Sequence, residues 1–410
     1  MSRGPAGARG SGADRHLGAV VVSSARWEGD PLSKHHIARA LAGLGAEVCY
    51  VDPPVSVLSP LRNPARLGDM WGARDAEVAP GLHLWRPWAL PGQNSRLGQR
   101  MNAGLLARGL ASRAGVPDLM VAFSLESRGL LGRDSLAARA RRPRVAGATL
   151  YHCTDSIEDL PGVDAGAARR FEAELAQAAD VVTACSLPLV AQLAARGIDA
   201  RYVPHGCDVF PEVALTRRPS GGSDDGVPAV LAGRPRPWLG YVGSMNFRID
   251  PSLLAAALEA SCGGTLVLVG GAFGPRPAPS LADLAARPEV VVLGRRTGEE
   301  LVELLRAFDV GLVPYGPRAF NAKSYPLKVP QYLAAGLAVA STPNGATEEL
   351  SGFVEVGSGP EEFAAAVSRA LDRASCEPAS LRIDAVKERT WRIVAIELLE
   401  AAGVEFPASR

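Results

Sequence analysis

Two polar residues, Lys328 and Gln331, stand three positions apart in an apolar segment of this sequence. The segment, residues 326–335, is expected to be a short helix because a glycine follows it and apolar strands flank it. A spacing of three places both polar groups on one helix face. A cation and an amide at the carboxyl edge of a parallel sheet suit a diphosphate and a ribose, which predicts a nucleotide-sugar site. The alternative for either residue is an ordinary solvated side chain.

A turn of small residues follows the expected strand at 238–242 and could complete this site. It contains Gly243, Ser244 and Met245, and backbone N–H groups at such a turn can hold a diphosphate. An ordinary strand-to-helix turn also requires glycine, so both interpretations stay open.

The loop before the expected helix adds three side chains with possible contacts to a donor. Tyr315 follows a proline that ends a strand, and its ring could stack beside a uracil or simply pack. Arg318 and Lys323 are cations, so either could contact the carboxylate of a hexuronic acid.

A carboxylate, Asp155, lies just beyond the expected strand at 148–152. In a cleft it could take the proton from an acceptor hydroxyl, with partial burial raising its pKa toward the working range. The alternative is a helix N-cap or turn aspartate. His152 and His205 are interpreted as structural residues.

Several other chemistries lack their sequence signals. Ser124 is not in a G-x-S-x-G elbow, and the turn after Val22 reads SSARWEG instead of G-x-G-x-x-G, which argues against a hydrolase triad and a dinucleotide-dependent oxidoreductase. Neither H-E-x-x-H nor an EF-hand spacing occurs, so we expect no metal and no cofactor, with the nucleotide sugar as co-substrate. The six cysteines form no C-x-x-C pair, which favours a reducing compartment.

Alternating strand and helix patterns predict an α/β architecture. A chain of 410 residues with 47% hydrophobic content can bury two cores, since a single core stops growing near roughly 250 to 300 residues. We expect two doubly wound, Rossmann-like domains facing each other across a cleft. The predicted divisions are a disordered tail at 1–15, an acceptor-binding domain at 16–212, a linker at 213–236, a nucleotide-sugar-binding domain at 237–384, and a helix at 385–410 that could pack back on the first domain.

Finer expectations concern polarity in the first domain. Residues 167–178 are predicted to form a helix with Glu172 and Glu174 on its solvated side, and residues 55–100 are predicted to be irregular. Residues 86–144 carry eleven arginines against three acidic residues, although the whole chain has a net charge of only +1. With Trp85 and Trp88 before it, this segment could lie on an anionic membrane surface or be an ordinary solvated helix.

The sequence begins without an apolar signal segment and contains no run long enough to span a bilayer. The expected location is therefore cytoplasmic, peripheral at the inner face of the plasma membrane. The near-neutral charge gives no argument for a nucleic acid partner.

Six short motifs, in their order and spacing, resemble the two-domain glycosyltransferases of the GT-B fold, and within them the GumK-like branch of the xanthan glucuronosyltransferase. They are Ser23-Ser24 after the first strand, Y-x-x-x-D at 151–155, H-G-x-D at 205–208, V-G-S-M at 242–245, P-Y at 314–315 and L-K-x-x-Q-Y at 327–332. The second domain is also similar to the retaining glycosyltransferase family 4. Lys323 and Gln331 stand where that family has two glutamates, which favours the GumK-like branch.

The resemblance implies roles for individual residues. It implies that Asp155 is the general base and that UDP is held by Met245, Tyr315, Leu327, Lys328 and Gln331. It also implies metal-independent, inverting transfer to a polyprenyl-diphosphate-linked acceptor at the inner membrane face. The expected activity is transfer of a hexose or hexuronic acid, such as glucuronic acid, from a UDP-sugar to a lipid-linked or polysaccharide acceptor. There are two alternatives. One is a nucleotide-sugar epimerase or hydrolase of the same fold, and the other is a non-catalytic binding protein that keeps the fold.

Overall fold

The computed structural model describes residues 17–29, 31–58, 75–91, 96–131, 146–207, 228–271 and 279–406. The predicted tail at 1–15 and most of the predicted linker, residues 213–227, lie outside this part of the chain. The chain divides into two compact units, one formed by Met1–Leu150 with Ala402–Arg410 and the other by Tyr151–Ala401. Asp155 and Lys328 therefore belong to the same unit, and the domain boundaries read from the sequence stay a prediction.

The first unit is built on a largely parallel sheet. Its strands are β1 (Gly18–Val22), β2 (Glu47–Val51), β3 (Val55–Ser56), β4 (Asp75–Ala79), β5 (Leu82–Trp85), β6 (Trp88–Ala89) and β7 (Leu119–Ala122), and its helices are α1 (Ser33–Gly43), α2 (Arg96–Ala114) and α3 (Arg128–Leu131). Within this unit, five strands of the main sheet have the order β7-β1-β2-β5-β4, with β4 antiparallel to β5 and the other pairs parallel. The strands β3 to β6 correct the prediction that residues 55–100 are irregular.

The second unit contains a doubly wound sheet. Its strands are the end of β8 (Ala148–Cys153), β9 (Val181–Ala184), β10 (Arg201–Tyr202), β11 (Trp238–Val242), β12 (Thr265–Val269), β13 (Val290–Leu293), β14 (Val310–Val313), β15 (Ala338–Ser341) and β16 (Val354–Val356). Strands β11 to β16 form a six-stranded parallel sheet in the order β13-β12-β11-β14-β15-β16. Strands β12 and β13 follow on one side of β11, and strands β14 to β16 follow on the other side, so the strand order switches between β11 and β14. Ligands of doubly wound sheets bind outside the carboxyl ends of the strands at such a point. The predicted α/β class is confirmed.

Helices connect these strands. They are α4 (Ala165–Ala178), α5 (Leu187–Ala194), α6 (Pro251–Ala260), α7 (Pro279–Ala285), α8 (Glu299–Ala307), α9 (Ala319–Lys323), α10 (Lys328–Ala334), α11 (Gly345–Glu349), α12 (Pro360–Cys376), α13 (Ala379–Asp384) and α14 (Trp391–Ala401). The helix predicted from residue 385 onward begins only at Trp391, as α14, because a turn follows the end of α13 at Asp384.

One hydrophobic core packs against the six-stranded sheet. Leu254 of α6 and Phe363 and Val367 of α12 are fully buried in it, together with the strand residues Leu266 and Leu312. Burying a leucine or phenylalanine side chain contributes roughly 1.5 to 3 kcal/mol relative to exposure. The strands are continuous apolar runs because helices are expected to cover both faces of a parallel sheet.

Helix α10, which carries Lys328, is fixed to the sheet by Tyr332. The Tyr332 ring lies against Gly311, where a Cβ atom would come within 2.4 Å of the ring. Its hydroxyl accepts a hydrogen bond of 2.8 Å from the Val242 N–H, at the end of β11. Gly336 ends the helix in a left-handed conformation with φ of 74°, as a C-terminal glycine does. Glycine and tyrosine together therefore set the position of the helix against β11 and β14.

Helix α4 corrects one prediction about polarity. Glu174 is exposed as expected, but Glu172 is buried at 4% exposure. The Glu172 carboxylate accepts a hydrogen bond of 2.9 Å from the Tyr151 hydroxyl and pairs with Arg196 at 2.7 Å. A carboxylate can be buried at this position because a cation and a hydroxyl satisfy its oxygens.

Several residues of the basic segment are engaged within the first unit. Trp85 is buried, and the Arg113 guanidinium lies 4.7 Å from its ring centroid while pairing with Asp75. Arg86 pairs with the buried Asp52 at 2.9 Å. Met101 and Leu105 of α2, in contrast, are exposed. Among the described residues, we find no helix with the length and apolar character needed to cross a bilayer.

Candidate functional site

The ammonium group of Lys328 occupies the centre of the predicted donor site. Its Nζ donates to the Tyr241 hydroxyl at 3.0 Å and to the Tyr315 hydroxyl at 3.1 Å. Within the described residues it has no carboxylate partner. Burial acts to lower the pKa of Lys328, but charge interaction and hydrogen bonding with Tyr241 and Tyr315 outweigh burial and raise it. The group therefore stays a cation.

A glycine is required where this ammonium meets the backbone. Gly243 follows β11 with φ of 140°, and a Cβ atom there would lie 2.9 Å from the Lys328 Nζ. Gly270, after β12, approaches in turn so closely that its own Cβ would meet the Gly243 carbonyl oxygen at 2.1 Å. The glycines of this turn thus allow two backbone segments and one ammonium group to pack together.

Two cations contact the Tyr315 side chain. The Lys328 Nζ is 5.0 Å from the ring centroid, and the Arg248 guanidinium carbon is 5.9 Å from it. Burial acts to raise the pKa of Tyr315, but Lys328 and Arg248 together outweigh burial and lower it. The ring is buried at 5% exposure. Without a ligand the ring therefore packs, which was one of the two interpretations of the sequence, and its predicted contact with the donor stays a prediction.

Arg248 connects the predicted base to this cluster. Its Nη2 lies 3.4 Å from Asp155 Oδ1, and the two side chains are 25% and 31% exposed. The second carboxylate oxygen of Asp155 is 3.4 Å from the Thr154 hydroxyl. The structure thus brings Asp155 and Lys328, which are 173 positions apart in the chain, to either side of Arg248 and Tyr315.

Sequence reasoning missed Arg248 as a site residue. Its backbone carbonyl accepts hydrogen bonds from the Gly316 N–H at 2.8 Å and from the Asn321 amide at 3.1 Å. Its guanidinium also packs over the Phe320 ring at 4.4 Å. The available signal was an arginine in the loop just after the glycine turn of β11, but arginines are common throughout this chain.

The two cations proposed for a sugar carboxylate lie in different surroundings. Lys323, at the end of α9, pairs with Asp159 at 2.7 Å. Burial acts to raise the pKa of Asp159, but the hydrogen bonds from Lys323 and Ser156 outweigh burial and lower it. Arg318 is exposed at the start of α9. For both residues, contact with a sugar stays a prediction.

The remaining predicted donor residues surround Lys328. Ser244 accepts the Tyr241 hydroxyl bond through its carbonyl oxygen at 2.9 Å. Met245 is half-buried and packs against the core of the six-stranded sheet. Leu327 is the residue before α10, and Gln331 is half-buried, with no hydrogen bond from its amide group to the described residues. Their roles toward a donor stay predictions.

The loop that carries Asp155 is held by buried ion pairs. Arg196 of the turn after α5 pairs with Glu158 at 2.5 Å as well as with Glu172. The Ser156 hydroxyl donates to Asp159 at 2.5 Å. Burial raises the pKa of Glu172, although Tyr151 and Arg196 oppose that shift. These contacts, together with the pair between Asp159 and Lys323, hold residues 154–160 beside α9.

Part of the chain matches a known protein family. Residues 236–373 match the family model described as glycosyl transferases group 1. The matched segment includes all of the site residues between Tyr241 and Gln331. A curated relative, described as a putative teichuronic acid biosynthesis glycosyltransferase, TuaH of Bacillus subtilis (strain 168), is 24% identical over 183 residues. That match covers 43% of this chain, and the chain spans about half the length of the relative, 46%.

Solved glycosyltransferase structures share the fold over almost the whole chain. Sucrose-phosphate synthase from Thermosynechococcus elongatus superposes with a TM-score of 0.67 at 17% identity, covering 94% of this chain and 98% of the other. HepE of Anabaena in complex with UDP-glucose superposes with a TM-score of 0.62 at 16% identity, covering 95% and 100%. These similarities show that the chain has the GT-B fold.

Proposed function

We propose that the protein is a glycosyltransferase that moves a hexose or a hexuronic acid from a UDP-sugar to a lipid-linked or polysaccharide acceptor. The observation that carries the proposal is the Lys328 ammonium, which is held by the hydroxyls of Tyr241 and Tyr315 against the glycine turn of β11. A cation fixed in this way can stabilise the negative charge that develops on a departing diphosphate. The GumK-like motifs favour glucuronic acid as the sugar.

The relatives support the class of donor and acceptor. HepE has been solved with UDP and with UDP-glucose, and TuaH is described as acting in teichuronic acid biosynthesis. A UDP-sugar donor and a polysaccharide acceptor are consistent with both.

In the proposed reaction, Asp155 takes the proton of the acceptor hydroxyl as the hydroxyl oxygen bonds to the anomeric carbon. The bond between that carbon and the diphosphate oxygen breaks, and its electron pair leaves with UDP. Lys328 stabilises the leaving group, so no metal ion is required. A single displacement of this kind inverts the anomeric configuration.

The proposed site of action is the inner face of the plasma membrane, with the protein in the cytoplasm. Helix α2 carries exposed Met101 and Leu105 on a segment rich in arginine. Apolar side chains among cations suit the interface of an anionic bilayer. The contact would be peripheral, through the first unit.

Calorimetric titration with UDP tests the donor site. We expect Lys328→Met to weaken UDP binding by roughly tenfold or more, because a charge-assisted contact contributes about 1.5 to 3 kcal/mol. Lys387→Met is the matched control, since Lys387 is exposed and pairs with Asp384. If Lys328→Met bound UDP as tightly as the wild type, the donor site would be assigned wrongly.

Turnover assays with a panel of UDP-sugars test the base. Asp155→Asn should bind UDP at least as tightly as the wild type and lose turnover by roughly 10²- to 10⁴-fold, the usual contribution of a general base. Activity in the presence of a chelator is expected to be unchanged. Release of free sugar at full rate without any acceptor would favour the hydrolase alternative.

A further inference from the structure

We propose that Arg248 is shared between the base and the donor: it holds Asp155 while the donor site is empty and transfers to the diphosphate when the donor binds. The transfer frees the carboxylate for the acceptor hydroxyl. The inference rests on the proposed function, because it takes Asp155 as the base and the surroundings of Lys328 as the diphosphate site.

The contact between Arg248 and Asp155 is long for an ion pair. The Nη2 to Oδ1 distance is 3.4 Å, whereas Lys323 and Asp159, in the same region, approach to 2.7 Å. Charge-assisted N–H to carboxylate bonds are usually about 2.7 to 2.9 Å long. Both members of the longer pair are also partly exposed. Arg248 is therefore held loosely and can exchange this partner for a better one.

The guanidinium is already close to the predicted diphosphate position. Lys328 donates to the Tyr315 hydroxyl at 3.1 Å, and Arg248 also interacts with that hydroxyl, so both cations meet at one oxygen. A diphosphate bound to Lys328 would thus lie near both cations. The backbone of Arg248 is fixed by hydrogen bonds from Gly316 and Asn321. The exchange requires only rotation of the Arg248 side chain, with no movement of its backbone.

Electrostatics favour the diphosphate over the carboxylate. A nucleoside diphosphate brings at least two negative charges, Asp155 brings one, and a guanidinium binds phosphate oxygens in pairs. While Arg248 contacts Oδ1 and Thr154 lies near Oδ2, both oxygens of Asp155 have a donor nearby. Release of Arg248 leaves Oδ1 open to accept the acceptor's proton. The donor is therefore expected to bind before the acceptor reacts.

A double-mutant cycle, measured by calorimetry on the full chain with UDP and with uridine, tests this exchange. Asp155→Asn should tighten UDP binding roughly three- to tenfold, because it removes the competitor for Arg248. Arg248→Met should weaken UDP binding roughly tenfold and leave uridine binding unchanged, because uridine has no phosphate. In the Arg248→Met background, Asp155→Asn should change UDP affinity less than twofold. Arg248→Lys should restore part of the affinity and part of the coupling.

Three outcomes would overturn the inference. The first is an Asp155→Asn variant with wild-type UDP affinity. The second is a gain from Asp155→Asn that has the same size in the Arg248→Met background, which would show simple repulsion between the carboxylate and the phosphates. The third is a parallel loss of UDP and uridine binding in both Arg248→Met and Arg248→Lys, which would show a structural role. A wild type that fails to bind UDP would instead refute the proposed function itself.

Discussion

Substitution of Gly243 by alanine is expected to displace the Lys328 ammonium without removing its charge. The added Cβ would lie 2.9 Å from Nζ, the mobile end of the lysine side chain, and the next nearest atoms also belong to side chains. To reach an ordinary contact of about 3.5 Å, the ammonium must shift by roughly 0.6 Å or more. Its bonds to Tyr241 and Tyr315, now 3.0 and 3.1 Å, can then lengthen beyond hydrogen-bonding distance.

The expected effect is a functional loss with a modest cost in stability. A non-glycine residue at φ of 140° adds strain of about 1 to 3 kcal/mol. Misplacing the cation should weaken UDP binding roughly tenfold, which corresponds to about 1.4 kcal/mol. The assay is calorimetry with UDP and uridine, combined with thermal unfolding. Only UDP binding should show the loss caused by the displaced cation.

Gly271→Ala is the matched control, because a Cβ there meets nothing within 4 Å. This variant should bind UDP as the wild type does. The reasoning would be refuted if Gly243→Ala and Gly271→Ala had the same UDP affinity. It would also be refuted if Gly243→Ala lost uridine and UDP to the same extent, since that would show a general collapse of the turn.

Three further predictions concern the surroundings of the site. Glu172→Ala should lower the free energy of unfolding by roughly 1 to 3 kcal/mol, because it leaves the buried Tyr151 hydroxyl without its acceptor and removes one of the two carboxylates that pair with Arg196. Glu174→Ala, on the exposed side of the same helix, should change it by less than about 0.5 kcal/mol in urea unfolding. The pKa of Asp159 is lowered in the folded state, so its contribution to stability is present above the unfolded pKa of about 3.9 and is lost as pH falls through the folded value. Asp159→Asn should therefore differ from the wild type at neutral pH and match it in strong acid, as measured by unfolding at a series of pH values. Tyr332→Phe should cost about 1 to 3 kcal/mol in the same urea assay, because it leaves the Val242 N–H without its acceptor.

Five of the six strands of the sheet in the second unit could be predicted from the sequence, and for a physical reason. Strands β11 to β15 are continuous apolar runs bounded by glycine, proline or polar residues, so their length and composition are sufficient to recognise them. Strands β3 to β6 are only two to five residues long, and Arg86 and Pro87 separate β5 from β6. Their pairing depends on partners elsewhere in the sheet, which local composition does not reveal.

Glu172 shows why buried charges escape sequence reasoning. A glutamate on a helix is normally solvated, and Glu172 and Glu174 both fit that expectation. Glu172 can be buried because Arg196 and Tyr151 both hydrogen-bond its carboxylate. These partners are 24 and 21 positions away in the chain, so the local sequence does not reveal them. The cation that makes burial possible becomes known only with the tertiary structure.

Two lysines five positions apart, Lys323 and Lys328, illustrate the same point at the site itself. Both were candidate ligands, and residue type does not distinguish them. Lys323 pairs with the Asp159 carboxylate at 2.7 Å, so a ligand must compete with that carboxylate for its charge. Lys328 contacts two tyrosine hydroxyls at 3.0 and 3.1 Å and pairs with no carboxylate among the described residues. A diphosphate that binds Lys328 therefore does not have to displace a carboxylate. This difference in partners makes Lys328 the stronger candidate for binding the leaving group.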